Sequence, residues 1–343
     1  MKKTILIVSA LMLLAAGCKA RRGSSATYTQ KAYILNSPCM VRVYGPDEKT
    51  AKPLADAIFA EWNRIADEYN HNDPYSMTAI VNKKALAEWV PVNDEFLRLL
   101  QLSLDYYKLT GGAFDITFAP LWPLWKEAAS TRKLPAKEDI QKALQGIGSN
   151  YIEVDAVKKT VHFTRPVQIS LGGMLRAYCF ERAFKLLKEK APPYPVQLRL
   201  GGNTLVYGDR QWQYRVPDPQ SKTKIFGRFL FRGGVVMSTA GQDSFVEIDG
   251  KIYPHILDLR TGYPIENFGS LTVYYPDIES VDFLSSTALT VLGKDKTFEL
   301  LGKMPGTAAL WVDAQGNKSF LLTKVSKAKW EEEKGTLAGL LEN

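Results

Sequence analysis

The chain is poor in the side chains that most often bind metals or attack substrates, with three cysteines and three histidines among 343 residues. Cys18, Cys39 and Cys179 lie far apart, and no C-x-x-C or neighbouring histidine gives them zinc-site spacing. Cys39 and Cys179 sit in apolar stretches and read as buried free thiols, with one disulfide as the alternative and no support for a nucleophile. No G-x-G-x-x-G opens a helix after a strand and no G-x-x-x-x-G-K-[ST] occurs, so the standard nucleotide cradles are missing. Basic residues are scattered, and Lys19, Arg21 and Arg22 form the densest cluster. The net charge of +8, two of it from Lys2 and Lys3, therefore argues against a nucleic-acid partner and suits small anions.

Repeats and low-complexity tracts are also missing after residue 28. With 45% hydrophobic and 23% charged residues the chain is globular, and its length suits one large domain or two closely joined ones. Only the N-terminus departs from this. Lys2-Lys3 precedes an apolar run from Ile5 to Ala16 that is too short to span a bilayer as a permanent helix. The following Leu14-Ala15-Ala16-Gly17-Cys18 resembles a bacterial lipobox, with Ala15 where leucine is commonest. This predicts a signal peptide over 1–17, a lipid anchor on Cys18, a polar tether over 18–28 and a folded domain over 29–343. The expected location is the cell envelope, membrane-anchored and facing the periplasm.

Along the folded part, Tyr33–Tyr44 alternates and reads as one strand. Leu54, Ile58, Phe59, Trp62, Ile65 and Ala66 recur at helical spacing up to about Tyr69. Asn93 caps a second helix that stops at Gly111-Gly112, and a third runs from about Leu175 to Lys190. Short strands follow at Val196–Leu200, Gln213–Val216, Phe226–Phe231, Ser244–Ile248, Leu271–Tyr275, Ala308–Val312 and Ser319–Leu322, the last two joined by the turn Asp313–Asn317. Without a regular βαβ rhythm this is an α+β fold.

Four clusters exceed what a plain core needs. Thr110–Thr117 places two glycines after a helix, followed by Ala113, Phe114 and Asp115, and reads either as a binding loop or as a helix stop. Ser170–Arg176 brings a serine, paired glycines and an arginine into a helix start, an anion site or a simple turn. His255–Pro264 puts a scarce histidine beside Asp258 and Arg260. His255 is the best acid–base candidate there, and the alternative pairs Asp258 with Arg260 to brace the turn and leaves His255 structural. Asp282–Thr287 offers a carboxylate and hydroxyls, hard oxygen ligands suited to Mg²⁺, or an N-capped helix.

In order, these segments resemble the ApbE-type flavin transferases. Leu35–Pro38 with Val43–Gly45 is similar to the family's opening M-G-T-P…V-Y-G, and Asp73–Ser76 with Asn82 to its D-P-x-S…N. Gly111–Thr117 with Pro120-Leu121 is nearly identical to G-G-A-F-D-x-T…P-L. Ser170–Glu181 follows D-L-G-G-x-A-K-G-Y-A-x-D, Leu200–Asn203 follows L-G-G-N, and Pro217–Pro219 follows x-D-P. His255–Pro264 resembles H-x-I-D-P-R-T-G-x-P, and Thr287–Gly293 resembles T-A-L-x-V-L-G. The resemblance implies an Mg²⁺-dependent enzyme that moves FMN from FAD to a Thr or Ser hydroxyl of a target protein and releases AMP. It further implies that Leu35, Ala113, Phe114, Asp115, Ser170, Arg176 and Leu257 line FAD. The Gly173 carbonyl, Asp282 and Ser286 or Thr287 would hold the metal, and His255 and Asp258 would help deprotonate the incoming hydroxyl. The acceptor would be a flavoprotein subunit of a membrane redox complex.

The chain departs from the pattern at Ser170 (usually Asp), Arg176 (Lys), Ala177 (Gly), Glu181 (Asp) and Leu259 (Pro). Asp282 also precedes Thr287 by five residues where the family spacing is four. Either Ser286 replaces the threonine, or the helix start shifts, or Phe283 takes the ligand position. Two other functions stay open on these grounds: hydrolysis of FAD to FMN and AMP, and non-catalytic flavin binding on the envelope.

Overall fold

The computed structural model describes residues 26–336 apart from 222, 242–244, 278–284, 325 and 327. Cys18 with the signal and most of the tether, and Asp282 with Phe283, lie outside the described residues.

Among the described residues, eight strands form one antiparallel sheet whose spatial order is the chain order. They are β1 (Ala26–Ile34), β2 (Ser37–Gly45), β3 (Val196–Leu200), β4 (Asn203–Tyr207), β5 (Gly234–Ala240), β6 (Ser270–Tyr275), β7 (Ala308–Val312) and β8 (Lys318–Leu322). The stretch expected as one strand over Tyr33–Tyr44 thus takes in the end of β1, a turn and most of β2, the two strands forming a hairpin. Leu35 and Asn36 adopt positive φ of 51° and 54°, a left-handed pair that reverses the chain in two residues. Asparagine tolerates that conformation but leucine does not favour it, so the apolar Leu35 disguised the turn.

Alternation along the strands sends side chains to two cores. Leu271, Val273 and Tyr275 face the larger core while Tyr274 faces the smaller, and Ala309 and Trp311 oppose Ala308, Leu310 and Val312. The larger core is closed by α1 (Glu48–Glu68) and, further along the chain, by a long helix over Gly172–Lys190. α1 starts where the Asp47 carboxylate accepts from the Thr50 N–H at 2.9 Å, and it buries Leu54, Ile58, Phe59, Trp62 and Ile65. Next come α2 (Met77–Lys84), α3 (Asp94–Leu109), α4 (Trp122–Thr131), α5 (Lys137–Leu144) and α6, the Gly172–Lys190 helix. Trp62 Nε1 donates to the Cys179 carbonyl at 2.8 Å and locks α1 to α6. The smaller core is covered by a three-stranded sheet of Trp212–Pro217, Lys224–Phe231 and Lys329–Thr336. α7 (Ser286–Leu292) and α8 (Lys294–Gly302) complete the α-helices among the described residues. None of the described helices is long and apolar enough to cross a membrane.

Cys39 and Cys179 are buried free thiols, and burial pushes both above the ordinary thiol range. A carboxylate-centred network ties α3 to α1 and α6. Glu95 accepts from Arg64 through both its oxygens at 2.8 and 2.9 Å, from Tyr69 at 2.7 Å and from Tyr178. Burial pushes the Glu95 carboxyl up, but hydrogen bonds from Arg64, Tyr178 and Tyr69 outweigh that and hold it at about 2. A folded pKa below the unfolded one means that this contribution is full above about pH 5. It is lost as pH falls towards 2, as the carboxyl takes up a proton. The melting temperature should fall across that window, and less steeply in Glu95→Gln; parallel curves would disprove the assignment.

Candidate active site

Four of the sheet's turns and strand ends gather at one end: the Leu35-Asn36 turn, the Gly201-Gly202 turn, Ala240-Gly241 after β5 and Gly269 before β6. Gly241 N–H donates to the Gly269 carbonyl at 2.8 Å, and a Cβ placed on Gly201 would meet the Ser37 hydroxyl at 3.4 Å. The predicted site segments assemble around this end.

The loop after α3 is shaped by Gly111 and Gly112 at φ of +58° and +83°. It is then held from inside by Asp115, which is 3% exposed. Its Oδ1 accepts from Thr117 N–H (2.8 Å), Thr117 Oγ1 (2.7 Å) and Ser149 Oγ (2.6 Å), and its Oδ2 from Ser149 N–H (2.8 Å). Two neighbouring loops dock on the backbone so positioned. Ser170 N–H donates to the Ile116 carbonyl at 2.7 Å, and Leu259 N–H donates to the Ala113 carbonyl at 3.3 Å. Phe114 lies against the start of α6, where a Cβ on Gly173 would come within 3.1 Å of its ring, so glycine there lets the backbone approach. Further into α6 the exposed Arg176 is close enough for its charge to act on Cys39 at the start of β2.

Ser285–Thr287, the described end of the segment expected to hold a metal, meets α6 at the same place, in a register that spacing alone did not resolve. α7 begins at Ser286, and the hydroxyl that donates to the Gly173 carbonyl, at 2.8 Å, belongs to Ser285. Ser286 Oγ instead accepts from Thr239 Oγ1 at 2.7 Å, and Thr287 is half-buried one residue on. Three consecutive hydroxyls, Ser285-Ser286-Thr287, were the visible signal. Only packing selects among them.

His255 is exposed just after the strand Lys251–Pro254, whose Pro254 ring lies within 3.5 Å of a Cβ placed on Gly241. Asp258 is gripped by Arg260, with Nε at 2.9 Å from Oδ1 and a terminal nitrogen at 2.6 Å from Oδ2. That hydrogen bond and charge hold the guanidinium pKa above its ordinary value. The Asp258–Arg260 pairing that the sequence offered as a brace for the turn is present. Leu257 turns into a separate cluster with Leu121, Trp125 and Ile140, where Trp125 Nε1 donates to the Gly262 carbonyl at 2.9 Å. His162 stacks on Trp89 and lies 3.3 Å from Glu153. Sequence reasoning gave no role to His71, whose Nδ1 is 3.2 Å from Ser170 Oγ; the scarcity of histidine was the one signal available.

Loops from five parts of the chain thus converge on one end of a sheet, and the similarity to known proteins spans the same parts. A family model described as the ApbE family matches residues 35–311. The chain belongs to the ApbE family. An FAD:protein FMN transferase of Klebsiella pneumoniae (strain 342) is 25% identical, with 88% of this chain and 94% of that one covered. One from Chlamydia pneumoniae is 26% identical over 71% of this chain and 77% of its own. Among solved structures, the ApbE protein of Thermotoga maritima superposes with a TM-score of 0.76 at 26% identity, covering 87% of this chain and 97% of that one. The flavin transferase ApbE of Vibrio cholerae, at 17% identity and a TM-score of 0.71 over 88% of this chain and 98% of its own, shares the fold. Membership of the ApbE family accounts for the order of the motifs, and the α+β architecture read from the sequence is that of its solved members.

Proposed function

We propose that this protein transfers FMN from FAD to a threonine or serine hydroxyl of a target protein and releases AMP. The observation that carries the reading is the convergence of Ala113-Phe114, Ser170–Gly173, Ser285–Thr287 and the His255 loop through direct backbone and hydroxyl bonds. The names of the relatives, FAD:protein FMN transferases, support the same chemistry.

A carbonyl and a hydroxyl in contact are hard oxygen donors of the kind that suits Mg²⁺. The Gly173 carbonyl and the Ser285 hydroxyl, with Asp282 and the adjoining Ser286 and Thr287, are the residues that would hold it. When bound, the cation would neutralise charge on the pyrophosphate of the substrate. Phe114 and the first-turn N–H groups of α6 would orient the dinucleotide. His255 would take the proton of the incoming hydroxyl, and Asp258, through its grip on Arg260, would fix the loop that carries it. The lipid anchor on Cys18, an envelope location facing the periplasm and an acceptor subunit in a membrane redox complex belong to the same proposal.

The test is purified protein with FAD, Mg²⁺ and an acceptor domain bearing an exposed threonine, read by intact mass. An FMN-sized gain on the acceptor that EDTA abolishes is the expected result. Free FMN and AMP with an unmodified acceptor would point to hydrolysis, and intact FAD throughout would refute the enzyme. Ser285→Ala should raise the Mg²⁺ concentration for half-maximal transfer about tenfold, by loss of one oxygen ligand. A direct Mg²⁺ titration by calorimetry should shift equally, and an unchanged titration would return the role to Ser286 or Thr287.

A further inference from the structure

His71 lies in the turn between α1 and α2, and that turn is held rigidly by its own bonds. Ser76 Oγ donates to the Asn70 carbonyl at 2.7 Å, Tyr75 N–H donates to Asp73 Oδ1 at 2.9 Å, and Ser76 Oγ accepts the Ala79 N–H as the cap of α2. The same helix reaches the far side of the contact. Asn82 Nδ2 donates to the Ile169 carbonyl at 2.9 Å and its Oδ1 accepts the Ile169 N–H at 2.8 Å. α2 therefore sets both members of the pair, the turn before it and the Ile169-Ser170 backbone beside it.

The two members differ sharply in environment. Ser170 is 2% exposed, pinned by its N–H to the Ile116 carbonyl, and its hydroxyl lies 3.5 Å from the first-turn N–H of Gly172. The imidazole is exposed, bonds Ser170 through Nδ1 at 3.2 Å, and among the described residues makes no hydrogen bond through Nε2. A ring fixed at one nitrogen and open at the other, beside a helix start whose N–H groups favour anions, is suited to a phosphate-bearing ligand.

We propose that His71 is a substrate-binding residue. Oriented by Ser170 through Nδ1, it hydrogen-bonds the phosphate-bearing part of FAD through Nε2. The assignment rests on the FAD-dependent reading above. It explains how a site with serine at position 170 gains a second polar group there. A hydroxyl and an imidazole act together where one side chain from position 170 would otherwise stand alone.

The experiment is the FAD dissociation constant, by quenching of flavin fluorescence, for wild type, His71→Ala, His71→Asn, His71→Gln, Ser170→Ala and the double alanine variant, each with its melting temperature. Asparagine places an amide near Nδ1 and glutamine near Nε2. Alanine and asparagine at position 71 should each weaken binding about tenfold, glutamine should recover most of it, and the double variant should lose no more than the weaker single one. Melting temperatures of the three His71 single variants should stay with wild type, since the ring is exposed. Full binding by His71→Asn would make the contact structural and overturn the proposal, as would wild-type affinity in every His71 variant. Wild-type protein that fails to bind FAD at all would refute the FAD reading first, and the assignment of His71 with it.

Discussion

His255→Ala is expected to slow FMN transfer about 10²–10⁴-fold, the usual worth of a positioned general base. The side chain is exposed and belongs to none of the three hydrophobic cores, so the melting temperature should barely move. Single-turnover measurement with saturating FAD would place the loss in the chemical step. The affinity for FAD should stay within about twofold, because the backbone around Ala113 and Ser170, proposed to orient the dinucleotide, is untouched. A variant that transfers FMN at the wild-type rate would remove His255 from the reaction and leave it a loop residue.

Asp115→Ala should have the largest effect on stability. The substitution strips four hydrogen bonds from a carboxylate that is 3% exposed and strands the N–H groups of Thr117 and Ser149 away from water. Buried donors left unsatisfied cost about 1–3 kcal/mol each, so a loss of about 3 kcal/mol or more is expected. For a domain of this size that is a fall of roughly 5–10 °C in melting temperature. Asp115→Asn keeps an acceptor for Thr117 but turns an amide N–H toward the Ser149 N–H, so it should fall between alanine and wild type. FAD binding should weaken in step with stability, because the carboxylate acts by shaping the loop that carries Ala113 and Phe114. A calorimetric scan unchanged in Asp115→Ala would show that water replaces the carboxylate without cost.

The α+β class, helices α1, α3 and α6, the β7–β8 hairpin and the order of the site motifs were all legible in the chain itself. Each rests on local physics: apolar spacing at Leu54–Ile65, the Asn93 cap with its 2.7 Å bond from Phe96 N–H, glycines that stop helices, and a five-residue turn. Which residue plays which part was decided by tertiary contact. The Leu35-Asn36 turn splits an apparently continuous strand because β2 pairs with both β1 and β3. β4 and β5 escaped notice for a similar reason, since buried strands lack the alternation that marks a half-exposed one. Asp115, expected from the sequence to line FAD, spends its carboxylate bonds on Thr117 and Ser149. Ser285 rather than its two hydroxyl neighbours meets Gly173, and His71 meets a serine 99 residues away. Propensity and periodicity act over a few residues and so can be read along the chain. The direction of a side chain at the meeting point of five loops depends on partners far away in sequence, and only the folded structure brings those together.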